Sequence, residues 1–441
     1  MAAPRKPQWI LPTLRAVFTE NPKAVWAAAA VLGSAASTAR LDEHDTGMPL
    51  SFLPMSRAEW AGYFHRACKE ILWPVLMSQP RRLRFDPAAW AHYRRTNARF
   101  ADHINALAAP EATVWLHDYN LWLTPGLLRQ ARIGLRIGLF HHTPFPPPEV
   151  FAALPVAAEI RASLECLDWA GFHAPAFAEH FRRTLSGAAR QPRVGVHPLG
   201  VDRTAVETLA RAGKPPVRPP DSPLMLAVER LDYVKAPVRK VDAVDALLTR
   251  CPRLRGRLRF RLVCPPPEPG ITAHDTTRRT LERRVTEVND AWRTADWHPV
   301  EYLPHSLPFA EVVDHYLAAD VFWVTSLQDG MNLTAKEFIA AQAAVDSPGV
   351  LILSRHTGAA TQLGPAALLT DPHSPTDLVD VLHQALSLTP HQRRAHADGL
   401  RALLDDQRPA DWAFDIVTAI HRGRAPHPVV QPSGGSEAPV Q

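Results

Sequence analysis

Six short apolar runs after residue 223, LMLAVE (224–229), RFRLVC (259–264), VEYL (300–303), DVFWVTS (320–326), VLILS (350–354) and ALLT (367–370), are separated by helix-length segments. Such alternation is the pattern of a parallel sheet faced by helices, because parallel strands need a crossover of a dozen or more residues. It also occupies the first half of the chain, where VWLH (114–117), IGLFHH (137–142) and RVGVHPLGV (193–201) are the clearest strands. Between the halves, GKPPVRPPDSP (213–223) carries five prolines and no apolar periodicity, which reads as a linker. The expected fold class is α/β, with two Rossmann-like domains facing a cleft and ligands at the carboxyl ends of the strands. The boundaries predicted are 1–205 for the first domain, 206–223 for the linker, 224–405 for the second domain, 406–422 for a terminal helix and 423–441 for a disordered tail. No good opening strand is visible in the first 50 residues, so the first domain is expected to lack its first strand.

Charge narrows the partners. Lysine and arginine exceed aspartate and glutamate by 49 to 44, and no block of five or six like charges occurs. That argues against bulk nucleic-acid binding and leaves anionic small molecules attractive. The four cysteines, Cys68, Cys166, Cys251 and Cys264, have no zinc-like spacing and sit in apolar contexts, as reduced core residues do. The longest apolar run, AVWAAAAVLGSAA (24–36), is too short for a bilayer span. A cytoplasmic protein without membrane contact is expected. The absence of GxGxxG, Walker, HExxH and GxSxG patterns removes the usual signatures of dinucleotide redox, P-loop, zincin and serine-hydrolase chemistry.

Four clusters remain. ERLDYVK (229–235) follows a strand and opens a helix, so Arg230 and Lys235 project where cations suit a diphosphate. A surface ion pair with Glu229 or Asp232 is the competing reading. QDGMNLTAKEF (328–338) is a second strand-to-helix junction, where a turn at Gly330 would let the backbone N–H groups of Met331, Asn332 and Leu333 face an anion. Asp329 and Glu337 would flank it as acceptors for the hydroxyls of a sugar and a ribose, although Asp-Gly is also a common cap before a helix. In HDYNLWLTPGLLRQ (117–130), Asp118 lies just past a strand end, either as an acceptor for substrate hydroxyls or as an N-cap. In FHHTPFPPPEVFAALP (140–155), prolines at 144, 146, 147 and 148 stiffen the loop and fix His142 against a ligand, unless the histidines belong to the core. No third group has convincing spacing to make that histidine pair a metal site. Together these groups describe a site for a sugar nucleotide, whose departing diphosphate needs positive charge. Arg230 and Lys235 would supply it, so neither metal nor cofactor is expected.

HDYNLWLTP, FHHTPFPPPEVFAALP, GFHAPAFAEHF (171–181), VGVHPLGVD (194–202), VERLDYVK, VFWVTSLQDGMNLTAKEF and GVLILSRHTGAATQLG resemble the trehalose-6-phosphate synthase family of glycosyltransferases over about residues 60 to 420. The resemblance implies a GT-B fold and metal-independent, retaining glucosyl transfer from a nucleotide sugar to a small phosphorylated acceptor. It implies no nucleic-acid partner and is compatible with a homo-oligomer. Within the family, ILPTL (10–14), PMSRAEWAGYFHRACKEILWPVL (54–76) and DYNLW with FHHTPFP are most similar to the glucosylglycerol-phosphate branch, which uses ADP-glucose and glycerol 3-phosphate in osmotic-stress solute synthesis. Trehalose-6-phosphate synthesis from glucose 6-phosphate and a sugar-nucleotide-binding paralogue without turnover remain as alternatives. The trehalose branch carries an arginine in the loop after the second strand of the C-terminal half, where this chain has CPPPEPGITAH (264–274) with no cation.

Position by position, the resemblance makes Arg230 and Lys235 the diphosphate cations and Asp329 the carboxylate on the donor-glucose hydroxyls. Gly330, Met331, Asn332 and Leu333 match the backbone nest, and Glu337 the ribose acceptor. His142 matches the histidine near the transferred glucose, Asp118 the carboxylate between donor and acceptor, and Phe64 and Trp73 the acceptor side. Trp9 and Ala236 stand where related chains have glycine, and Gln328 where they have arginine.

Overall fold

A computed structural model describes residues 10–31, 49–132, 134–215 and 221–422. Trp9 and the 423–441 tail lie outside the described residues. The first described element is a helix, Ile10–Glu20, and strand β1, Trp26–Val31, follows it. β1 runs parallel to β2, Leu50–Met55, in a two-stranded sheet. This corrects the expectation of a first domain without an opening strand. WAAAAV is dominated by alanine, the strongest helix former, and only its pairing with β2 makes it a strand.

The first domain's main sheet contains β3 (Thr113–His117), β4 (Arg136–His141), β5 (Trp169–Phe172) and β6 (Arg193–Val196), all parallel and in that spatial order. The second domain's sheet is built from β7 (Leu224–Val228), β8 (Arg259–Val263), β9 (Val300–Leu303), β10 (Val321–Val324), β11 (Val350–Ser354) and β12 (Leu368–Thr370). Its order is β12-β11-β10-β7-β8-β9, again parallel. Every residue of β10 and β11 is buried, as helices on both faces require. The chain winds outward from β7 in one direction and from β10 in the other. The loops leaving these neighbouring strands therefore part and open a crevice between them. ERLDYVK follows β7 and QDGMNLTAKEF follows β10, so the topology brings both junction motifs to that crevice.

Two helices shift the expected domain boundaries. Residues 206–212, expected in the linker, belong to the helix Arg203–Ala212, capped by Asp202. Its Val206 and Ala210 share a core with Leu226, Tyr316 and Phe338 of the second domain. The terminal helix Pro409–Arg422 packs Trp412, Ala413, Ile416 and Ile420 against Leu14, Phe18, Phe140 and Trp169 of the first domain. It follows the second domain in sequence and crosses back to the first. The four cysteines are unpaired, and no helix among the described residues is long and apolar enough to cross a membrane.

Candidate active site

The β7 loop folds as a short 3-10 turn, Tyr233–Lys235, whose Asp232 accepts from Val234 N at 3.1 Å. Tyr233 and Val234 insert into the first domain's core. Lys235 donates its Nζ to Asp329 Oδ2 at 2.5 Å, joining the two junction motifs directly. Its expected surface partners are engaged elsewhere: Glu229 is bound at 2.6 Å by the fully buried Lys240, and Asp232 lies 3.2 Å from His274. Arg230 is exposed and has no ion-pair partner among the described residues. The bland reading of these cations therefore holds for neither as stated.

Asp329 also accepts from Ser326 Oγ and Asn332 Nδ2, each at 3.1 Å. Burial alone would raise its pKa, but the Lys235 ammonium and these hydrogen bonds outweigh it and hold the carboxyl below its ordinary range. Past Gly330, Asn332 takes a left-handed conformation and its Oδ1 caps the helix Leu333–Ala344 at Ala335 N. Among the described residues, the backbone N–H groups of Gly330, Met331, Asn332 and Leu333 donate no hydrogen bond. Four unsatisfied donors ahead of a helix dipole form a ready anion seat. Glu337, one turn on, accepts from Tyr316 Oη at 2.9 Å, and burial raises its pKa. It touches none of the other expected site groups.

The first domain supplies the opposite wall. A Cβ added to Gly330 would lie 1.8 Å from the His142 carbonyl oxygen, so the two domains meet backbone to backbone at this point. His142 Nε2 lies 3.2 Å from His117 Nδ1, with the rings stacked. Burial, then the neighbouring histidines, hold its pKa well below the ordinary value, leaving a neutral ring. His141 turns to the other face of β4, as successive strand residues must, and its Nδ1 meets the Thr143 carbonyl at 2.8 Å. The adjacent histidines thus do not share a site. Asp118 is no side-chain N-cap: its Oδ1 accepts from Thr143 Oγ1 at 2.8 Å, and its φ of 63° is left-handed. Such a conformation in a non-glycine residue stores roughly 1–3 kcal/mol.

Phe64 and Trp73 lie on a helical stretch, Arg57–Trp60, Ala61–Leu72 and Trp73–Leu76, whose middle part is π-helical. A capping box at Ser56 and Glu59 starts it. Between these aromatics stands Lys69, which the sequence motifs did not single out. Its Nζ sits 3.8 Å from the Trp73 ring centroid, 5.5 Å from Phe64 and 5.9 Å from Tyr119.

Ala236, where the family resemblance leads one to expect glycine, adopts φ 54° and ψ 43°. Left-handed alanine costs about 1–2 kcal/mol. Glycine would relieve this but would sacrifice backbone entropy of about 0.5–1 kcal/mol and a buried methyl of about 0.8 kcal/mol. The effects nearly offset, so Ala236→Gly is expected to change unfolding free energy by under about 1 kcal/mol. Ala236→Val puts a branched carbon in the same strained, buried position and should cost about 2 kcal/mol or more. Denaturant melts of both variants test this, and a melt of the valine variant matching wild type would reject the left-handed assignment.

A family model described as glycosyltransferase family 20 matches residues 10–422. A glucosylglycerol-phosphate synthase of Pseudomonas anguilliseptica is 33% identical over 95% of this chain, which spans 61% of that relative's length. Another, from a Picosynechococcus species, is 28% identical over 96% of this chain and 94% of its own. The crystal structure of an α,α-trehalose-phosphate synthase (UDP-forming) from Burkholderia vietnamiensis matches with a TM-score of 0.85 and 29% identity, covering 93% of this chain and 97% of that one. With paired parallel sheets, a crevice at the strand ends and a match over nearly the whole described chain, this protein belongs to glycosyltransferase family 20 and has its GT-B fold.

Proposed function

We propose that the protein transfers glucose with retention from ADP-glucose to glycerol 3-phosphate, giving glucosylglycerol phosphate. The observation that carries the reading is the crevice itself: unpartnered Arg230, the Lys235–Asp329 pair and four unsatisfied N–H groups converge there. The N–H groups and both cations would receive the diphosphate, and Asp329 the hydroxyls of the donor glucose. Glu337 would take the ribose. His142 and Asp118 line the side from which the acceptor arrives.

In this mechanism the acceptor hydroxyl oxygen bonds the anomeric carbon on the face from which the diphosphate leaves. The carbon–oxygen bond to phosphate breaks, and the hydroxyl proton passes to the departing phosphate oxygen. Configuration is kept without an enzyme nucleophile, so no carboxylate pair of the retaining-glycosidase type is required. Arg230, Lys235 and the nest act by stabilising the charge that develops on the leaving oxygen.

The choice of acceptor rests on the names of the curated relatives and on the loop after β8. There Glu268 accepts from Trp60 Nε1 at 2.9 Å and pairs with His65 at 3.0 Å. A carboxylate in the loop where the trehalose branch carries an arginine disfavours an acceptor phosphate at that place.

The test mixes purified protein with ADP-, GDP- or UDP-glucose against glycerol 3-phosphate or glucose 6-phosphate, reading nucleoside diphosphate release and product mass. ADP release that depends on glycerol 3-phosphate is expected. Release with glucose 6-phosphate alone would replace this reading with trehalose-6-phosphate synthesis. Silence in every mixture, with ADP-glucose still bound, would leave a binding paralogue.

A further inference from the structure

We propose that Lys69 is the cation that receives the phosphate of the acceptor, at the mouth of an aromatic box formed by Phe64, Trp73 and Tyr119. The inference deepens the glucosyltransferase reading above and rests on its phosphorylated acceptor.

The box depends on how its helix is wound. In an α-helix of 3.6 residues per turn, Phe64 and Trp73 would point in opposite directions, since nine residues make two and a half turns. With i to i+5 bonding a turn takes about 4.4 residues, so positions 64, 69 and 73 return to one face. The π-helical run Ala61–Leu72 spans this interval. It stacks a cation between two aromatic side chains that the α period would separate.

Two donors in the box lack acceptors. The indole Nε1 of Trp73, a residue only 8% exposed, is buried without a hydrogen-bond partner. Lys69 Nζ makes its three ring contacts but has no carboxylate or carbonyl partner among the described residues. Lys69 is partly buried and keeps solvent access at its ammonium, while the Trp73 indole N–H is buried without an acceptor. An oxyanion carried by a small ligand satisfies both.

Location fits the acceptor rather than the donor. The charged groups around Lys69 are Arg230 and Asp232 from the β7 loop and Asp118 from the loop after β3, with the neutral Cys68 thiol beside it. Lys69 therefore faces the donor cations across the crevice from the first-domain wall. Burial pulls its pKa down to about 8, with Asp232 the main counterweight and Arg230 adding to the depression. A phosphate arriving beside it would hold the proton in place. Lys69 would also supply a positive charge that the β8 loop, with its Glu268, does not.

The test measures initial rates at saturating ADP-glucose for wild type, Lys69→Met, Lys69→Arg and Trp73→Phe, varying glycerol 3-phosphate or unphosphorylated glycerol. Lys69→Met is expected to raise KM for glycerol 3-phosphate roughly 10- to 150-fold, the range for a hydrogen bond to a charged group, with a much smaller change in kcat. The KM for unphosphorylated glycerol should change far less in Lys69→Met than the KM for glycerol 3-phosphate. Lys69→Arg should stay within a few-fold of wild type. Wild-type KM for glycerol 3-phosphate should climb above pH 8, where the free ammonium is lost, and Lys69→Arg should remove that rise. Trp73→Phe, which keeps the ring but lacks the N–H, should raise the same KM by a smaller factor.

An unchanged KM in Lys69→Met, or equal losses with both acceptors, overturns the assignment while the glucosyltransferase reading stands. Wild type that turns over neither glycerol 3-phosphate nor glucose 6-phosphate removes that reading and this inference together.

Discussion

Lys235→Ala is expected to lower turnover by roughly 30- to 1000-fold, equivalent to about 2–4 kcal/mol of transition-state stabilisation, and also to melt below wild type. Arg230→Ala should lose turnover by a similar factor without a melting change. The difference follows from their surroundings. Lys235 is already paired with Asp329, and both side chains are mostly buried, at 18% and 17% exposure. Removing the lysine strands a buried carboxylate, for which about 2–3 kcal/mol is expected, somewhat below a fully buried pair because some exposure remains. Arg230 is exposed and unpaired, so its removal leaves nothing stranded.

The pH dependence of the melting loss separates this account from general misfolding. In wild type, Asp329 titrates below the usual carboxylate range, so its contribution is present above the unfolded pKa and lost as pH falls through the folded one. In Lys235→Ala, burial acts unopposed by the ammonium and the carboxyl takes up its proton earlier. The gap between variant and wild type should therefore narrow on mild acidification. Steady-state rates at saturating substrates and thermal melts at two pH values check both variants. Wild-type turnover in either would sink the diphosphate assignment, and identical melting losses in both would reject the Lys235–Asp329 pair as the source of the difference.

Much of this arrangement is legible in sequence because it is local. A strand followed by Asp-Gly and a helix is a contiguous pattern, and so are the β7 junction and the strand periodicities of the second sheet. The parts that escape are those decided by contacts between distant segments. The helix Arg203–Ala212 reads as the start of a proline-rich linker until Val206 and Ala210 meet Tyr316 and Phe338. β1 does not read as a strand until it pairs with β2. Asp118 can be read as a cap or as a substrate acceptor until its oxygen meets Thr143, 25 residues away. Lys69 is hidden for a different reason. The box around it depends on a winding whose period no hydrophobic pattern announces, since the α period puts Phe64 and Trp73 on opposite faces.

Gly330→Ala is expected to cut turnover about 100-fold, the scale of an ångström-sized misplacement of a binding group. The reason is contact rather than conformational freedom. An added Cβ would fall 1.8 Å from the His142 carbonyl oxygen and 2.8 Å from its carbonyl carbon. On the other side, a Cβ on Gly358 would fall 1.9 Å from the Gly330 carbonyl oxygen, so the turn has backbone against it from both domains. A methyl here must displace either the nest or the strand end that carries His142. The displacement separates the groups that hold the diphosphate from those beside the sugar, so catalysis should fall further than stability, for which about 1–3 kcal/mol of overpacking is expected. Gly187→Ala is the contrasting variant: its φ is 80° and no atom lies within 4 Å of the added carbon. It should lose about 1–2 kcal/mol of stability from backbone strain and keep its turnover. If Gly330→Ala retains the kcat/KM of wild type while Gly187→Ala shows its melting loss, the close approach of the two domains at Gly330 is not part of the working enzyme.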